Sequence, residues 1–209
     1  MPETQERRTQ AERRETTERR VLDAAIELIA RRGSHGVSLA EVGRLAGYSR
    51  GIVNHHFGSR RELLEAVVLA TQRFEVAPFE GAAAAHLQHF ARSYLGSIAA
   101  RDQAARAFLV LWAESAAADP VLEPLFRERD ASFRGFLADL AREGREDGSM
   151  TTDLEADGLA AVVVGLLRGT AMQLLSRDVE STVVIDTAMR TIALMSGAGP
   201  GPATAPEPG

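Results

Sequence analysis

The stretch 36–64, GVSLAEVGRLAGYSRGIVNHHFGSRRELL, constrains the fold of this chain more than any other. Its spacing predicts two short helices joined by a tight turn, followed by the start of a third. Ser38 with Glu41 three residues later forms a capping box, in which the hydroxyl and the carboxylate bond the free first-turn N–H groups. Gly47 stands where the first helix must end, because glycine enters the left-handed region without a Cβ clash.

The second helix of the stretch is predicted to begin after the capping residue Ser49 and to run from residue 50 to about residue 56. Val53 and Phe57 are four residues apart and are expected to face inward. Ser59 with Glu62 forms another capping box and opens the third helix. The outer face of the second helix is polar and partly basic, and it carries Arg50, Gly51, Asn54 and His55.

Two helices with a short glycine-containing turn, the second with a polar and basic outer face, are what a helix-turn-helix uses to place one helix in the major groove of DNA. Helix-turn-helix pairs without DNA also exist, so spacing and caps alone leave a DNA-binding unit and a protein-interaction unit open.

The run L-A-E-V-x-x-x-A-G-Y-S-x-G-x-V-x-H-H-F-G-S-R-x-x-L-L closely resembles the N-terminal domain of the TetR family of transcriptional regulators. The resemblance extends back through a first helix predicted at about residues 17–32. It implies that base edges are contacted by Arg50, Gly51, Ile52 and His55. It implies that phosphates are contacted by Ser38, Tyr48, Asn54, His56 and Arg60.

The sequence departs from the family pattern at two of these positions. Asn54 stands where the family usually has a tyrosine that touches the DNA backbone, and it lacks that ring. Arg60 replaces the usual lysine, keeps the charge and can hold a phosphate with two hydrogen bonds.

Composition limits the remaining possibilities. The absence of cysteine excludes disulfides, thiol catalysis and cysteine-based metal sites. The longest apolar run, 159–167, is much shorter than the roughly 20 residues that span a bilayer, so we expect a cytoplasmic protein without a membrane partner. The net charge of −5 argues against nucleic-acid binding, but residues 1–80 carry 13 Arg against 12 acidic residues, whereas residues 81–209 carry 11 against 17. The basic charge is concentrated where the motif lies.

The fold class predicted is all-α: an N-terminal three-helix helix-turn-helix domain and a C-terminal helical bundle for ligand binding and dimerisation. The predicted divisions are a disordered arm at 1–16, the DNA-binding domain with its connecting helix at 17–77, the second domain at 78–196 and a disordered tail at 197–209. Helical periodicity in the second domain predicts helices at about 82–99, 103–118, 121–143, 154–176 and 181–196.

Three sets of residues are expected to end or begin these helices. Asp119 and Pro120 should open the third helix of the second domain, and Gly144 and Gly148 should end it. Thr152 with Glu155 should form a capping box for the fourth.

Helix 103–118 is apolar nearly all round, which predicts that it lies at the centre of the bundle. Aromatic residues on this and adjacent helices either fill the core or line a cavity for a small apolar or aromatic molecule. The TetR resemblance implies an effector pocket in this place. The candidate ligand-binding residues are Phe90, Tyr94, Phe108, Trp112, Phe133 and Phe136. Polar candidates for the same site are Arg106, Glu114, Arg168 and Gln173.

The last two helices predict a different function. Small residues recur three or four apart on helix 154–176 and leave a narrow face that another backbone can approach. Packing within one chain is the alternative, but the TetR family dimerises through its last two helices, and a two-fold dimer reads a pseudo-palindrome. The predicted interface residues are Gly158, Ala161, Gly165, Gly169, Met172, Val184, Ala188 and Ile192.

These patterns and the resemblance together imply a ligand-responsive regulator, and most simply a repressor. It would bind an operator as a homodimer and be released by a small-molecule effector, without a cofactor. An orphan DNA-binding repressor is the first alternative. A helical enzyme is the second, since His86 and His89 could share a metal and His55 and His56 could carry protons. No carboxylate completes a ligand set near His86, so we predict no catalysis.

Overall fold

The computed structural model describes residues 10–71, 79–100, 103–117, 119–175 and 179–198. Within them the secondary structure is entirely helical, as predicted. The nine helices are α1 (Gln10–Arg32), α2 (Leu39–Ala46), α3 (Arg50–Phe57), α4 (Arg60–Thr71), α5 (Ala83–Ala99), α6 (Gln103–Ser115), α7 (Leu122–Glu146), α8 (Ala156–Leu174) and α9 (Ser181–Ser196).

The first helix begins at Gln10 and not at residue 17, so residues 10–16, expected in a disordered arm, are helical. Thr16 and Thr17 donate their hydroxyls to the carbonyls four residues earlier, at 2.7 and 2.9 Å. Arg14 pairs with Glu18 one turn on. This part of the helix precedes its first buried residue, Val21, and has no apolar face of its own.

The Ser38–Glu41 capping box and the Ser49 cap are present as predicted. At the predicted Ser59–Glu62 box the Ser59 hydroxyl accepts from Glu62 N–H at 3.2 Å, whereas Ser59 N–H donates to the Phe57 carbonyl. The Asp119 cap is present. Asp119 Oδ1 accepts from the N–H groups of Val121 and Leu122, both at 2.9 Å. The Thr152–Glu155 capping box is wrong, because the Thr152 hydroxyl accepts from Leu154 N–H and α8 begins without a side-chain cap.

Gly144 does not end α7. The helix continues through it to Glu146. The side chain of Met150 occupies the space that a Cβ on Gly144 would need, so this position must be small. Gly148 follows the helix with a φ of 74°. The predicted boundary near residues 77–78 and the tail beyond residue 198 lie outside the described residues.

The helices pack as two domains joined by α6. Helices α1 to α4 enclose a small core around Val21, Val42 and Val53, while α5, α7, α8 and α9 form a bundle. Helix α6 packs on α1 and α4 on one side and on α7, α5 and α8 on the other. The prediction that it is the bundle's centre is therefore wrong. It is apolar nearly all round because two domains share its circumference.

Candidate nucleic-acid interface and effector site

Helices α2 and α3 meet at a close backbone contact. The capping box is complete: the Ser38 hydroxyl accepts from Glu41 N–H, and the Glu41 carboxylate accepts from Ser38 N–H at 3.2 Å. Gly47 ends α2 with a φ of 80°. A Cβ on Gly43 would lie 2.8 Å from the carbonyl oxygen of Tyr48, so this glycine sets how closely the helices cross. Sequence reasoning missed Gly43, since only the crossing partner shows why it must be small.

Helix α3 presents one face to solvent and one to the core. The Ser49 hydroxyl accepts from Ile52 N–H at 3.3 Å and begins the helix, while Val53 is fully buried beneath it. Five predicted DNA-contacting residues share the exposed side: Arg50, Gly51, Ile52, Asn54 and His55. Ile52 is 40% exposed and leaves an apolar surface beside the polar ones.

The predicted phosphate-contacting residues are placed differently from one another. Ser38 is exposed, while Tyr48 is half-buried and its hydroxyl oxygen lies 3.4 Å from that of Thr17. His56 turns inward, with a side chain only 13% exposed and Nδ1 at 3.4 Å from a Glu18 carboxylate oxygen. The Arg60 guanidinium donates within the chain, to the Ser34 and Val37 carbonyls at 2.7 and 3.3 Å. His56 and Arg60 thus contact groups of the same chain in this structure, and their contact with phosphates stays a prediction.

The six aromatic residues predicted to bind a ligand lie in one cluster between α5, α6 and α7. Phe90 contacts both Phe133 and Phe136, with ring centroids 5.4 and 5.2 Å apart, and Tyr94 lies 6.5 Å from Phe133. Phe108 and Trp112 approach from α6. Phe90, Tyr94 and Phe108 are nearly buried, whereas Trp112, Phe133 and Phe136 are partly exposed, so the cluster reaches the surface on one side.

Arg168 of α8 enters this cluster, and its guanidinium lies over four rings. The Cζ atom is 4.6 Å from the Phe108 ring centroid, 5.3 Å from that of Trp112, 5.7 Å from that of Phe133 and 6.0 Å from that of Tyr94. The residue is only 5% exposed. Of the four polar residues considered from the sequence, it alone belongs to the aromatic cluster.

Asp130 is the carboxylate of the site, and sequence reasoning missed it. It accepts from Trp112 Nε1–H at 3.0 Å and from Arg168 at 3.2 Å. Arg168 also donates to the Tyr94 hydroxyl at 3.3 Å, and burial raises the pKa of that phenol above its ordinary value of 10.0. Burial, and then the charge of Arg168, lower the pKa of the neighbouring Arg129. Arg168 Nε is buried and has no hydrogen-bond partner among the described residues.

Arg106 and Glu114, also considered for the ligand site, lie on the opposite side of α6 at the domain junction. Arg106 Nε–H donates to the Ala30 carbonyl at 2.9 Å, and the Glu114 carboxylate accepts from Ser34 N–H at 3.0 Å. Both therefore tie the end of α1 to α6. Gln173 is exposed on α8.

The small-residue face of α8 points to solvent. Gly158, Ala161, Gly165, Gly169 and Met172 are all exposed, and a Cβ on Gly165 or Gly169 would meet no atom within 4 Å. Within the described part of the chain, this face is thus not used for packing.

Helix α9 presents a different face from the one predicted for the interface. Ala188 and Ile192 are buried inside the chain and Val184 is half-buried, so for Ala188 and Ile192 the prediction is wrong. Val183 and Leu194 are 56% and 82% exposed instead. The helical repeat of apolar residues in the sequence shows that α9 has an apolar stripe, but not which element that stripe faces.

The residues considered for a metal site and for a membrane span are placed as follows. His86 and His89 both stack on Phe79, with ring centroids 5.3 and 5.2 Å apart. Among the described residues no three His, Asp or Glu side chains are grouped as metal ligands require. Of the described helices, α8 is the one long and apolar enough to cross a membrane by length and composition, a criterion that core helices of soluble proteins also meet.

Comparison with known proteins agrees with this architecture. Residues 21–67 match the family described as bacterial regulatory proteins, tetR family, and residues 83–197 match the BetI-type transcriptional repressor C-terminal domain. The HTH-type transcriptional regulator BetI of Escherichia coli is 31% identical over 159 residues, covering 71% of this chain and 78% of that protein.

Solved structures share the fold. A transcriptional regulator of Saccharomonospora viridis in complex with choline has 24% identity and a TM-score of 0.71, covering 85% of this chain and 96% of that one. The TetR regulator tylP of Streptomyces fradiae has 22% identity and a TM-score of 0.71, covering 90% of each chain. With both halves of the chain matched in sequence and the fold shared throughout, this protein belongs to the TetR family of transcriptional regulators.

Proposed function

We propose that this protein is a cytoplasmic, effector-responsive repressor that binds a pseudo-palindromic operator as a homodimer. The observation that carries the proposal is the exposed face of α3. Arg50, Asn54 and His55 extend from a short helix whose opposite side, at Val53, is anchored in the core. Such a helix supplies donors to base edges in a major groove without reorganising on contact.

The dimer is supported by the solvent-facing small-residue stripe of α8. Val162 on the same helix is 56% exposed, and a 270 Å³ surface cavity runs between it, Leu154, Leu159 and Met195. Exposed apolar surface of this kind marks an interaction site. A second copy of the chain, related by a two-fold axis, would cover it and place two α3 helices about 34 Å apart.

The effector site is proposed in the aromatic cluster around Arg168, because its rings come from three helices and reach the surface at Trp112 and Phe133. Helix α6 carries Phe108 and Trp112 to that cluster and Glu114 to the DNA-binding domain. An effector that prefers another α6 position would shift the population of DNA-competent dimers by its differential affinity. Coupling of this kind is usually about 1–3 kcal/mol.

The test begins with selection of bound duplexes from a random pool, followed by mobility shift on the selected sequence. We expect a two-fold-symmetric site. Arg50→Ala should lose base preference at one position of each half-site, at roughly 1–3 kcal/mol per contact. The exposed Arg127→Ala on α7, distant from α3, is the matched control and should leave binding unchanged. Selection of no sequence, or of one without symmetry, would contradict the proposal.

Arg60 needs a separate measurement, since its guanidinium is used within the chain. If it turns to a phosphate on binding, Arg60→Ala reduces the dependence of log K on log salt by roughly one unit. If it stays on the Ser34 and Val37 carbonyls, the substitution lowers operator affinity only by destabilising the DNA-binding domain, and the salt slope is unchanged.

A repressor without an effector remains the second candidate function, supported by the close packing of the Arg168 cluster.

A further inference from the structure

The most unusual group outside the DNA interface is the guanidinium of Arg168. Four aromatic rings from α5, α6 and α7 surround it, with its Cζ between 4.6 and 6.0 Å from their centroids. A cation within about 6 Å of an aromatic face is attracted to the ring quadrupole, and several such faces together form the boxes that hold quaternary ammonium ligands. In this chain that central position is taken by the protein's own side chain.

The charges around the box strengthen this conclusion. Asp130 is the carboxylate bound to Arg168, while Arg129 lies close enough for the charge of Arg168 to lower its pKa. Two cations therefore face one carboxylate before any ligand arrives. An organic cation would add a further positive charge to a buried site and would have to remove Arg168 from both Asp130 and the Tyr94 hydroxyl.

We propose that Arg168 acts as an internal cation that fills the aromatic box and closes it to quaternary ammonium effectors, so that this regulator does not respond to choline. The inference rests on the proposed placement of the effector site in this cluster. Arg168 is thereby the residue that determines ligand charge. The Saccharomonospora viridis regulator of the same fold was solved with choline, which makes choline the probe for this inference.

Truncation at this position should convert the box into a site for an external cation. Arg168→Ala removes the guanidinium and the methylene groups that carry it and leaves a cavity beside the partly exposed Trp112 and Phe133, while the four rings and Asp130 remain. Choline should then occupy the vacated position with its ammonium facing Asp130. Arg168→Met removes the charge but fills most of the space, so it should bind choline weakly or not at all.

The experiment is calorimetric titration of the full-length protein with choline and with 3,3-dimethylbutan-1-ol, in which a carbon replaces the charged nitrogen of choline. We expect no choline binding by the wild-type protein at millimolar concentration and clear binding by Arg168→Ala. That variant should prefer choline over dimethylbutanol by about tenfold or more, the discrimination that a desolvated cation–π site supplies. Arg92→Ala, which removes a surface arginine paired with Asp186, is the control and should behave as wild type.

Two outcomes overturn the inference: choline binding by the wild type that Phe108→Leu abolishes, or absence of choline binding by a folded Arg168→Ala protein. If Arg168→Ala does not fold, nuclear magnetic resonance of the wild type decides. The Arg168 Nε–H signal, assigned by its loss in Arg168→Met, should be shifted upfield by the rings and protected from exchange; a solvent-exchanging, unshifted signal refutes the box. Operator binding is measured separately, so failure of the DNA-binding proposal is distinguishable from failure here.

Discussion

Gly43 shows how one residue sets the geometry of the DNA-reading unit. A Cβ on Gly43 would lie 2.8 Å from the backbone carbonyl oxygen of Tyr48 and 3.2 Å from a side-chain methyl of Val53. Neither neighbour is the free end of a flexible side chain, so a larger residue must push α3 away from α2. The angle between α2 and α3 therefore depends on the absence of a side chain at Gly43.

We predict that Gly43→Ala lowers the free energy of unfolding relative to Gly51→Ala. Both exchanges gain the same helix propensity, which cancels in the comparison, but a Cβ on Gly51 meets only the Ser49 hydroxyl at 3.7 Å. The overpacking at Gly43 should contribute about 1–3 kcal/mol, seen as a lower melting temperature of the Gly43 variant. Equal melting temperatures would mean that α2 and α3 adjust freely.

Asp119 predicts a dependence of stability on pH. The N–H groups of Leu122 and Val121 hold the pKa of this carboxyl below its ordinary value of 3.8. A depressed folded-state pKa contributes stability that is present above the unfolded value and is lost as the pH falls through the folded one. Asp119→Asn keeps an acceptor for the cap but has no charge to titrate. The stability difference between wild type and Asp119→Asn should therefore shrink as pH falls from 6 to below about 3; a constant difference in urea unfolding would exclude this origin.

At the scale of elements, α6 is the connection through which the two domains can influence each other. Its Glu114 carboxylate accepts from the N–H of Ser34, a fully buried residue just after α1, and it lies where a side chain on Gly33 would stand. Its Arg106 donates to the last turn of α1. The effector cluster and the DNA-binding domain thus contact one rigid helix on different sides.

We predict that Glu114→Ala destabilises the junction by about 1–3 kcal/mol, because the buried Ser34 N–H loses its acceptor. Amide exchange at Ser34 should become faster and operator affinity should fall. Glu123→Ala, which breaks only a surface pair with Arg127, is the control and should change stability by at most about 0.5 kcal/mol. Unchanged exchange at Ser34 would show that Glu114 does not hold the junction.

At the scale of the whole molecule, the solvent-facing stripe of α8 predicts that assembly and folding can be separated. Gly165→Leu and Gly169→Leu add side chains where the single chain has open space, so each subunit should fold with its helical content intact. Two facing copies would be forced apart, at about 1–3 kcal/mol per site. Sedimentation should show dissociation at lower dilution than for wild type, with operator affinity falling in parallel. An unchanged dimer in both variants would place the interface elsewhere.

Much of the local structure could be predicted because its causes are local. The Ser38 and Ser49 caps, the left-handed Gly47 and the Asp119 cap each depend on atoms within a few residues of one another. The all-α class follows from periodicity in the same way, and the exposed residues of α3 follow from the cap and from the inward Val53. The helix-turn-helix motif can thus be predicted from the sequence alone.

The remaining features depend on which helices meet. Apolar residues all round α6 indicate contact on every side, but not that two domains supply the contacts. An apolar stripe on α9 does not reveal that Ala188 and Ile192 pack inward, and a lone arginine on α8 resembles any surface arginine until Asp130 and the rings of three other helices surround it. Charge–ring and charge–charge contacts between residues far apart in the chain depend on interhelical distances of a few ångström. Such distances leave no pattern in residue spacing, so the position of Arg168 became known only from the packed fold.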